Sequence, residues 1–191
     1  MRALILAAGE GRRMQPITFT TPKPLVEVAG VSMAARQILA LKKAGIKEIV
    51  LNVAHLGGKI IDALGDGSAY GVRLRYSIEG ETAGEALETL GGIAKAMPML
   101  DDGDGAFIVV AGDIVTDFDY SSLVHAGRML ALEGREAHLV LVPNPSYHAG
   151  GDMTLDAQGL VRCEPRTHTF SSLGVYRSSL FEGIEPVRAK L

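Results

Sequence analysis

The chain alternates between short, continuously apolar runs and longer segments in which apolar residues recur every three or four positions. An apolar run with no polar face is typical of a strand covered on both sides, as in a parallel sheet. The alternation of strands and helices predicts right-handed crossovers that place helices on both faces of such a sheet. The predicted buried strands are Ala3–Leu6, Lys47–Val53, Phe107–Ala111 and Leu139–Val142.

The predicted helices lie between these strands. The first covers Val31–Ala44, with Ser32 as its N-cap and Gly45 at its C-terminal cap. We expect its buried face to consist of Met33, Ile38, Leu39 and Leu41. Further helices are predicted at Lys59–Leu64, at Ala86–Ala96 after a loop and ended by Pro98, and at Ser122–Leu132.

The pattern changes at two places. Val72, Leu74 and Tyr76 alternate with polar residues, which is typical of a half-exposed or edge strand. After Asn144, three short segments predict a hairpin and an antiparallel strand added to the sheet: Met153–Leu155, Leu160–Arg162 and Phe170–Tyr176. We therefore expect one α/β domain over residues 1–191. It would be a three-layer sandwich with a mostly parallel central sheet and an antiparallel addition near the C-terminus.

A glycine-rich turn follows the first strand directly. Gly9 and Gly11 allow the backbone to turn sharply and to bring bare N–H groups close to a ligand. Arg12 and Arg13 add cations at this turn, and Lys23 adds another further along. The alternative is an ordinary tight turn beside a solvated basic patch. The position of the cations directly after a buried strand favours a phosphate site, and in particular a polyphosphate site.

Spacing separates this turn from the common phosphate loops. A dinucleotide fingerprint needs a third glycine where this chain has Met14, and the Gly-Lys-Ser/Thr ending of a Walker loop is absent. The stretch instead resembles the signature of the sugar-phosphate nucleotidyltransferases. The matching residues are Leu6-Ala7-Ala8-Gly9-x-Gly11-x-Arg13-Met14-x-Pro16 and Thr21-Pro22-Lys23-Pro24-Leu25.

This resemblance implies a Rossmann-like, GT-A-like nucleotidyltransferase fold. It also implies that the loop residues Ala7, Ala8, Gly9 and Gly11 hold a nucleoside triphosphate. In the family, the arginine that matches Arg13 contacts the phosphates, and the lysine that matches Lys23 contacts phosphate near the reacting centre. We therefore expect catalytic roles for these two cations.

Asp113 follows the apolar strand Phe107–Ala111 and is the metal candidate. Open α/β sheets bind their ligands outside the carboxyl ends of the strands, and Mg²⁺ is commonly held by one or two carboxylates with phosphates and water. The resemblance supports Mg²⁺ at Asp113, because the family has a metal-binding aspartate in this Gly-Asp motif. The alternative is an aspartate that caps the following turn.

Two glycines lie at the mouth of the third predicted helix. Gly91 and Gly92 are costly inside a helix, which favours a close approach of the backbone to a ligand. The resemblance places this segment, with Glu88, against the nucleoside. Helix packing explains the two glycines equally well.

Other segments resemble the uridylyltransferases that act on N-acetylmuramate 1-phosphate in peptidoglycan recycling. The main ones are Asn52-x-Ala54-His55-Leu56-Gly57, Tyr76-Ser77-x-Glu79-Gly80-Glu81, and Asn144-Pro145-x-x-His148-x-x-Gly151-Asp152. They imply UTP and a sugar 1-phosphate as substrates, with Asn144 and Asp152 on the sugar side. For Asn144 the alternative is turn formation by Asn-Pro.

Two other functions stay open at this point. One is a glucose- or mannose-1-phosphate nucleotidyltransferase with another base preference. The other is a non-catalytic domain that binds a nucleotide or sugar phosphate, because fold does not fix function.

The family continues with a Trp-x-Asp-Val-Gly-Thr-like segment whose aspartate is a second metal ligand. This chain has no tryptophan and its sequence stops at Leu191. We therefore expect the domain to lack that C-terminal segment and to hold Mg²⁺ weakly.

The amino-acid composition limits the classes of partner and the cellular compartment that we expect for this chain. The net charge of −3 argues against a nucleic-acid partner, since backbone binding needs an excess of Lys and Arg. Cys163 is the sole cysteine, so a disulfide framework is excluded and a reducing cytoplasm is expected. We find neither a signal-peptide pattern nor an apolar stretch long enough to cross a membrane. The sequence makes no prediction of the oligomeric state.

Overall fold

The computed structural model describes residues 1–103 and 105–191, which form a layered α/β structure. The strands are β1 (Ala3–Leu6), β2 (Glu27–Val28), β3 (Val31–Ser32), β4 (Glu48–Val53), β5 (Arg73–Ile78), β6 (Ala106–Ala111), β7 (Ala137–Pro143), β8 (Thr154–Leu155), β9 (Val161–Arg162) and β10 (His168–Arg177). The helices are α1 (Met33–Lys43), α2 (Gly57–Leu64), α3 (Glu88–Leu100) and α4 (Ser121–Met129).

The main sheet of the described residues has the strand order β5-β4-β1-β6-β10-β7. Strands β5, β4, β1 and β6 are parallel, and β10 runs antiparallel between β6 and β7. Leu4 in the centre of β1 pairs with Val50 on one side and with Val109 on the other. The carboxyl ends of the four parallel strands therefore meet at one edge of the sheet.

Successive residues of β1 contribute to two separate cores, as the alternation of a strand requires. Ala3 and Ile5 pack with α1, α2 and α4 on one face, and Leu4 packs with α3 on the other. All three side chains are fully buried. This confirms the predicted three-layer fold with a mostly parallel sheet.

The predicted N-cap of helix α1 is confirmed, because the Ser32 Oγ accepts a hydrogen bond from the Ala35 amide at 3.3 Å. The helix itself begins at Met33, two residues later than predicted, because Val31 and Ser32 form β3. The prediction for Leu39 was wrong, since this side chain is 45% exposed. Leu39 directly follows the buried Ile38, so the helix turns it away from the core. Helix α4 also ends earlier than predicted, at Met129, and Leu132 beyond it is exposed.

The prediction that Pro98 ends the third helix was wrong. Helix α3 continues to Leu100, and the Asp101 amide still donates to the Met97 carbonyl at 3.0 Å. Pro98 lies in the last turn and is exposed, so its ring costs the helix one amide donor without displacing a core side chain.

The antiparallel strand is confirmed, but its place in the sheet differs from a simple addition. Strand β10 is inserted between β6 and β7. The predicted hairpin forms a separate two-stranded sheet of β8 and β9. Each of its strands has two residues, and Leu155 and Val161 are exposed, so this hairpin buries too little to extend the main sheet. Among the described residues, no helix has the length and apolar character needed to cross a membrane.

Candidate active site

A cavity of about 560 Å³ opens at the carboxyl edge of the parallel strands. Its walls are the turn after β1, the ends of β4, β5 and β6, the start of α3 and part of β10. Most residues predicted for the nucleotide and metal site line this cavity: Ala7, Ala8, Gly9, Gly11, Arg13, Lys23, Glu88 and Asp113. The topology therefore brings segments from distant parts of the chain to one place.

The two glycines of the loop have different surroundings. Gly11 has a φ of +69°, and a Cβ atom there would lie 2.9 Å from Thr18 Cγ2 and 3.1 Å from Lys23 Cβ. The Thr18 hydroxyl also donates to the Gly11 carbonyl at 3.0 Å. Gly9 has no such neighbours, since a Cβ atom there would meet nothing within 4 Å. Gly11 is thus needed by the fold, whereas Gly9 leaves open space beside the cavity.

The cations of the loop are not equivalent. Arg12 is paired with Glu10 at 2.5 Å, with its side chain 80% exposed. Arg13 lines the cavity, and its guanidinium has no ion pair within residues 1–103 and 105–191. The Lys23 ammonium donates to the Asp113 carboxylate. Among the loop cations, Arg13 is therefore the one without an ionic partner in the described residues, and Lys23 lies beside the candidate metal ligand.

Asn52 and Glu79 are buried polar residues of the cavity wall that the sequence did not single out as site residues. The Ala7 amide donates to Asn52 Oδ1 at 2.8 Å, and Asn52 Nδ2 donates to Glu79 Oε1 at 2.6 Å. The Leu87 amide donates to Glu79 Oε2 at 2.7 Å. One sequence signal could have identified these two residues: each is a polar residue at the carboxyl end of a strand, and the two strands, β4 and β5, are neighbours.

Three residues in the first turns of α3 were predicted to contact the nucleoside, and one of them lines the cavity. Glu88 lines the cavity, has a φ of +59° and pairs with Arg188 at 3.1 Å. Gly91 and Gly92 are buried and do not line it. A Cβ atom on Gly91 would lie 2.0 Å from the Val187 carbonyl oxygen, and one on Gly92 would lie 2.5 Å from Glu79 Oε1. The close approaches at these glycines are therefore to protein atoms, which supports the packing alternative.

The two residues predicted for the sugar side lie outside this cavity. Asn144 Nδ2 donates to the Ala149 and Arg166 carbonyls at 3.2 and 3.1 Å. Asp152 accepts from the Phe170 amide at 2.9 Å and contacts His148 Nε2 at 3.0 Å. The Phe170 hydrogen bond, followed by that of His148, lowers the pKa of Asp152. Both side chains fasten the loop that precedes β10.

Ser172 is the residue of β10 that reaches the cavity. The pairing of β10 with β7 shifts between Phe170 and Gly174, and Ser172 has a φ of +62° at this irregularity. No sequence pattern predicts this irregularity in the backbone of β10.

Asp113 is the candidate metal ligand of the cavity. Within the described parts of the chain, no group of three or more His, Cys, Asp or Glu residues could hold a metal ion. A single carboxylate still fits the usual binding of Mg²⁺, which relies on one or two carboxylates together with substrate phosphates and water. The residues present therefore fit an ion that arrives with a triphosphate.

The chain is similar in sequence to known nucleotidyl transferases. The nucleotidyl transferase family model matches residues 2–164. An N-acetylmuramate alpha-1-phosphate uridylyltransferase of Neisseria meningitidis serogroup B is 50% identical over 188 residues, which cover 97% of this chain and 79% of that relative. A UTP–glucose-1-phosphate uridylyltransferase of Synechocystis is 35% identical over 67% of this chain, which spans only 34% of that relative.

A solved structure shows the same fold. The structure of HddC from Yersinia pseudotuberculosis, complexed with GMP-PN, superimposes with a TM-score of 0.77. The two chains are 22% identical, and the match covers 99% of this chain and 82% of the other.

Proposed function

Because the chain belongs to the nucleotidyl transferase family, we propose that it transfers a uridylyl group from UTP to N-acetylmuramate 1-phosphate. The products are UDP-N-acetylmuramate and pyrophosphate, in the setting of peptidoglycan recycling. The observation that carries the proposal is the convergence of Gly9, Arg13, Lys23 and Asp113 on one cavity at the carboxyl edge of the sheet. The relative from Neisseria supports the choice of base and sugar.

The chemistry needs no protein nucleophile. An oxygen of the sugar 1-phosphate attacks the α-phosphorus of UTP in line, and the bond from that phosphorus to the bridging oxygen of pyrophosphate breaks. Catalysis is then positioning together with neutralisation of charge. The open side of Gly9 lets phosphate approach the loop backbone, Arg13 contacts the phosphates, and Lys23 neutralises charge near the reacting centre.

Asp113 would hold Mg²⁺, which supplies further neutralisation of the triphosphate charge. The Lys23 ammonium pairs with this carboxylate and lines the cavity, where it can also contact a phosphate oxygen. On the nucleoside side, Glu88 is the predicted contact with a side chain at the cavity. Asn144 and Asp152 would act on the sugar by holding the loop before Ser172.

A second candidate is a hexose-1-phosphate nucleotidyltransferase with another base preference. Relatives named mannose-1-phosphate guanyltransferase share up to 36% identity with this chain, although it spans about a third of their length. We keep the cytoplasm as the proposed compartment, because one cysteine, Cys163, gives this sequence no disulfide framework.

The test measures binding and turnover separately. Thermal unfolding is followed with UTP, GTP and dTTP, each with and without Mg²⁺. A triphosphate at ~100 times its dissociation constant adds roughly 2.7 kcal/mol to the free energy of unfolding. We expect the largest shift with UTP and then formation of pyrophosphate with N-acetylmuramate 1-phosphate. Preference for GTP with mannose 1-phosphate would establish the second candidate, and binding without any product would indicate a non-catalytic sensor.

A further inference from the structure

A buried carboxylate joins the two walls of the cavity. Glu79 follows β5 and is 8% exposed, yet both of its oxygens accept hydrogen bonds. One bond comes from Asn52 at the end of β4, and the other comes from the Leu87 amide at the start of α3. Asn52 in turn accepts from the Ala7 amide at the end of β1. The chain of hydrogen bonds therefore runs from the glycine loop to the residue just before Glu88.

The neighbouring atoms allow Asn52 and Glu79 only one arrangement of their side chains. Asn52 is 3% exposed, and its oxygen and nitrogen are each committed to a different neighbour. Gly92 lies directly behind the pair, where a Cβ atom would come within 2.5 Å of Glu79 Oε1 and 2.8 Å of Asn52 Nδ2. Buried polar groups with all their partners in place are rigid, and each lost partner is costly.

We propose that Glu79 is a positioning residue for the nucleotide, acting with Asn52 to fix the distance between the glycine loop and the start of α3. This inference rests on the proposed function, because those two walls are the ones assigned to the triphosphate and its base. Each Glu79 oxygen already accepts a hydrogen bond from the protein, and we assign its effect to the Ala7 and Leu87 backbone that the network holds in place. The network sets nucleotide affinity and leaves the affinity for the sugar phosphate largely unaffected.

The hydrogen bonds of Asn52 and Glu79 can be tested by exchanging the amide and the carboxylate between the two positions. In Glu79→Gln, one end of the new amide must face a donor, either Asn52 Nδ2 or the Leu87 amide. In Asn52→Asp, two carboxylates face each other across the bond that now measures 2.6 Å. In the double variant, residue 52 accepts from the Ala7 amide and from the new amide at 79, whose oxygen accepts from Leu87. Of the three variants, only the double variant gives every donor in the network an acceptor.

The experiment compares wild type, the two single variants and the double variant N52D/E79Q. Calorimetry gives the dissociation constant of whichever triphosphate the wild type binds best, and kinetics gives KM for both substrates and kcat. A core variant on β6, Val109→Ala, serves as a destabilised control away from the network. Denaturant unfolding of all five proteins corrects for lost stability.

We expect each single variant to weaken triphosphate binding and raise its KM by about tenfold. The KM for the sugar phosphate should change little, and the double variant should regain most of the wild-type affinity. Val109→Ala should lose stability without this shift in KM. The inference is overturned if the double variant binds as weakly as the singles, or if the singles bind like wild type.

Failure of the proposed function gives a different result. A wild type that binds a triphosphate but forms no UDP-sugar removes the assigned reaction while the calorimetric comparison still decides the role of Glu79. A wild type that binds no triphosphate overturns both. Should a single variant not fold, recovery of folding and affinity in N52D/E79Q supports the network, and folding without affinity contradicts it.

Discussion

The Lys23 ammonium donates a hydrogen bond to Oδ2 of Asp113, and this ion pair joins two parts of the site that are distant along the chain. Lys23 belongs to the Thr21–Leu25 motif, whereas Asp113 follows β6. Both side chains are partly exposed to the cavity, at 25% and 34%. Each therefore has a protein partner that a phosphate or a cation can replace.

Replacement of Asp113 by Asn should remove the Mg²⁺ dependence of turnover. The neutral amide keeps the shape of the side chain but loses the charge that a cation requires. We expect kcat to fall by about 100-fold or more. Asp117→Asn is the matched control, because Asp117 is exposed and does not line the cavity. A magnesium titration of both variants makes the measurement, and an unchanged Mg²⁺ response in Asp113→Asn would remove Asp113 as the ligand.

Loss of Arg13 should weaken triphosphate binding more than loss of its neighbour. Both arginines line the cavity, but Arg12 is already paired with Glu10, whereas Arg13 has no ion pair among the described residues. A charged hydrogen bond to phosphate is worth enough that Arg13→Ala should raise the KM for UTP by about tenfold. Steady-state kinetics of Arg13→Ala and Arg12→Ala provide the comparison. Equal effects would contradict the assignment of the phosphate contact to Arg13.

Alanine at the two loop glycines should separate binding from stability. Gly11→Ala introduces a Cβ atom 2.9 Å from Thr18 at a φ of +69°, which we expect to cost about 1–3 kcal/mol of stability. Gly9→Ala meets no protein atom within 4 Å, so its Tm should stay close to that of the wild type. Its UTP affinity should nevertheless fall, since the methyl group occupies the space that the phosphates approach. A Gly9→Ala protein with normal UTP affinity would show that phosphate binds elsewhere.

Alkaline pH should destabilise the fold through buried tyrosines. Burial raises the pKa of Tyr176 to about 12 from its ordinary value of 10.0. Between pH 10 and 12 the unfolded chain loses the Tyr176 proton while the folded chain keeps it, so the free energy of unfolding falls as pH rises. Two pKa units correspond to roughly 2–3 kcal/mol.

Tyr176→Phe isolates this contribution, because burial alone, and no hydrogen bond within the described residues, raises the pKa of the Tyr176 hydroxyl. Urea unfolding at pH 8 and pH 11 should give a smaller loss of stability for the phenylalanine variant. Tyr76 and Tyr120, whose pKa values burial also raises to about 12, remain in it. An identical loss in both proteins would mean that Tyr176 ionises equally easily in the folded state.

Most of the sheet could be predicted because its strands carry their own signal. Ala3–Leu6 and Phe107–Ala111 are apolar without interruption, and burial on both faces is the environment that such runs require. Strand β10 could not be placed in the same way. An antiparallel strand inside a sheet and one at its edge can have the same sequence pattern, and only pairing with β6 and β7 distinguishes them.

The candidate site could likewise be predicted only in part from the sequence. Gly9, Gly11, Arg13 and Lys23 lie within one local motif, so their spacing along the chain predicts their proximity. Asn52 and Glu79 join through hydrogen bonds between separate strands, and such pairing is not visible in either segment alone. At Gly92 the sequence favoured an approach of the backbone to a ligand, with helix packing as the alternative, and the close neighbour in the structure is Glu79.

The place of β10 also has a consequence for the order in which the chain acquires its structure. Strand β7 joins the main sheet through β10, so Ala137–Pro143 must wait, after its own synthesis, for residues 168–177. Strands β1, β4, β5 and β6 need no such later segment and can associate first. We expect pulse-labelled hydrogen exchange during refolding to protect Val50 and Val109 before Leu139.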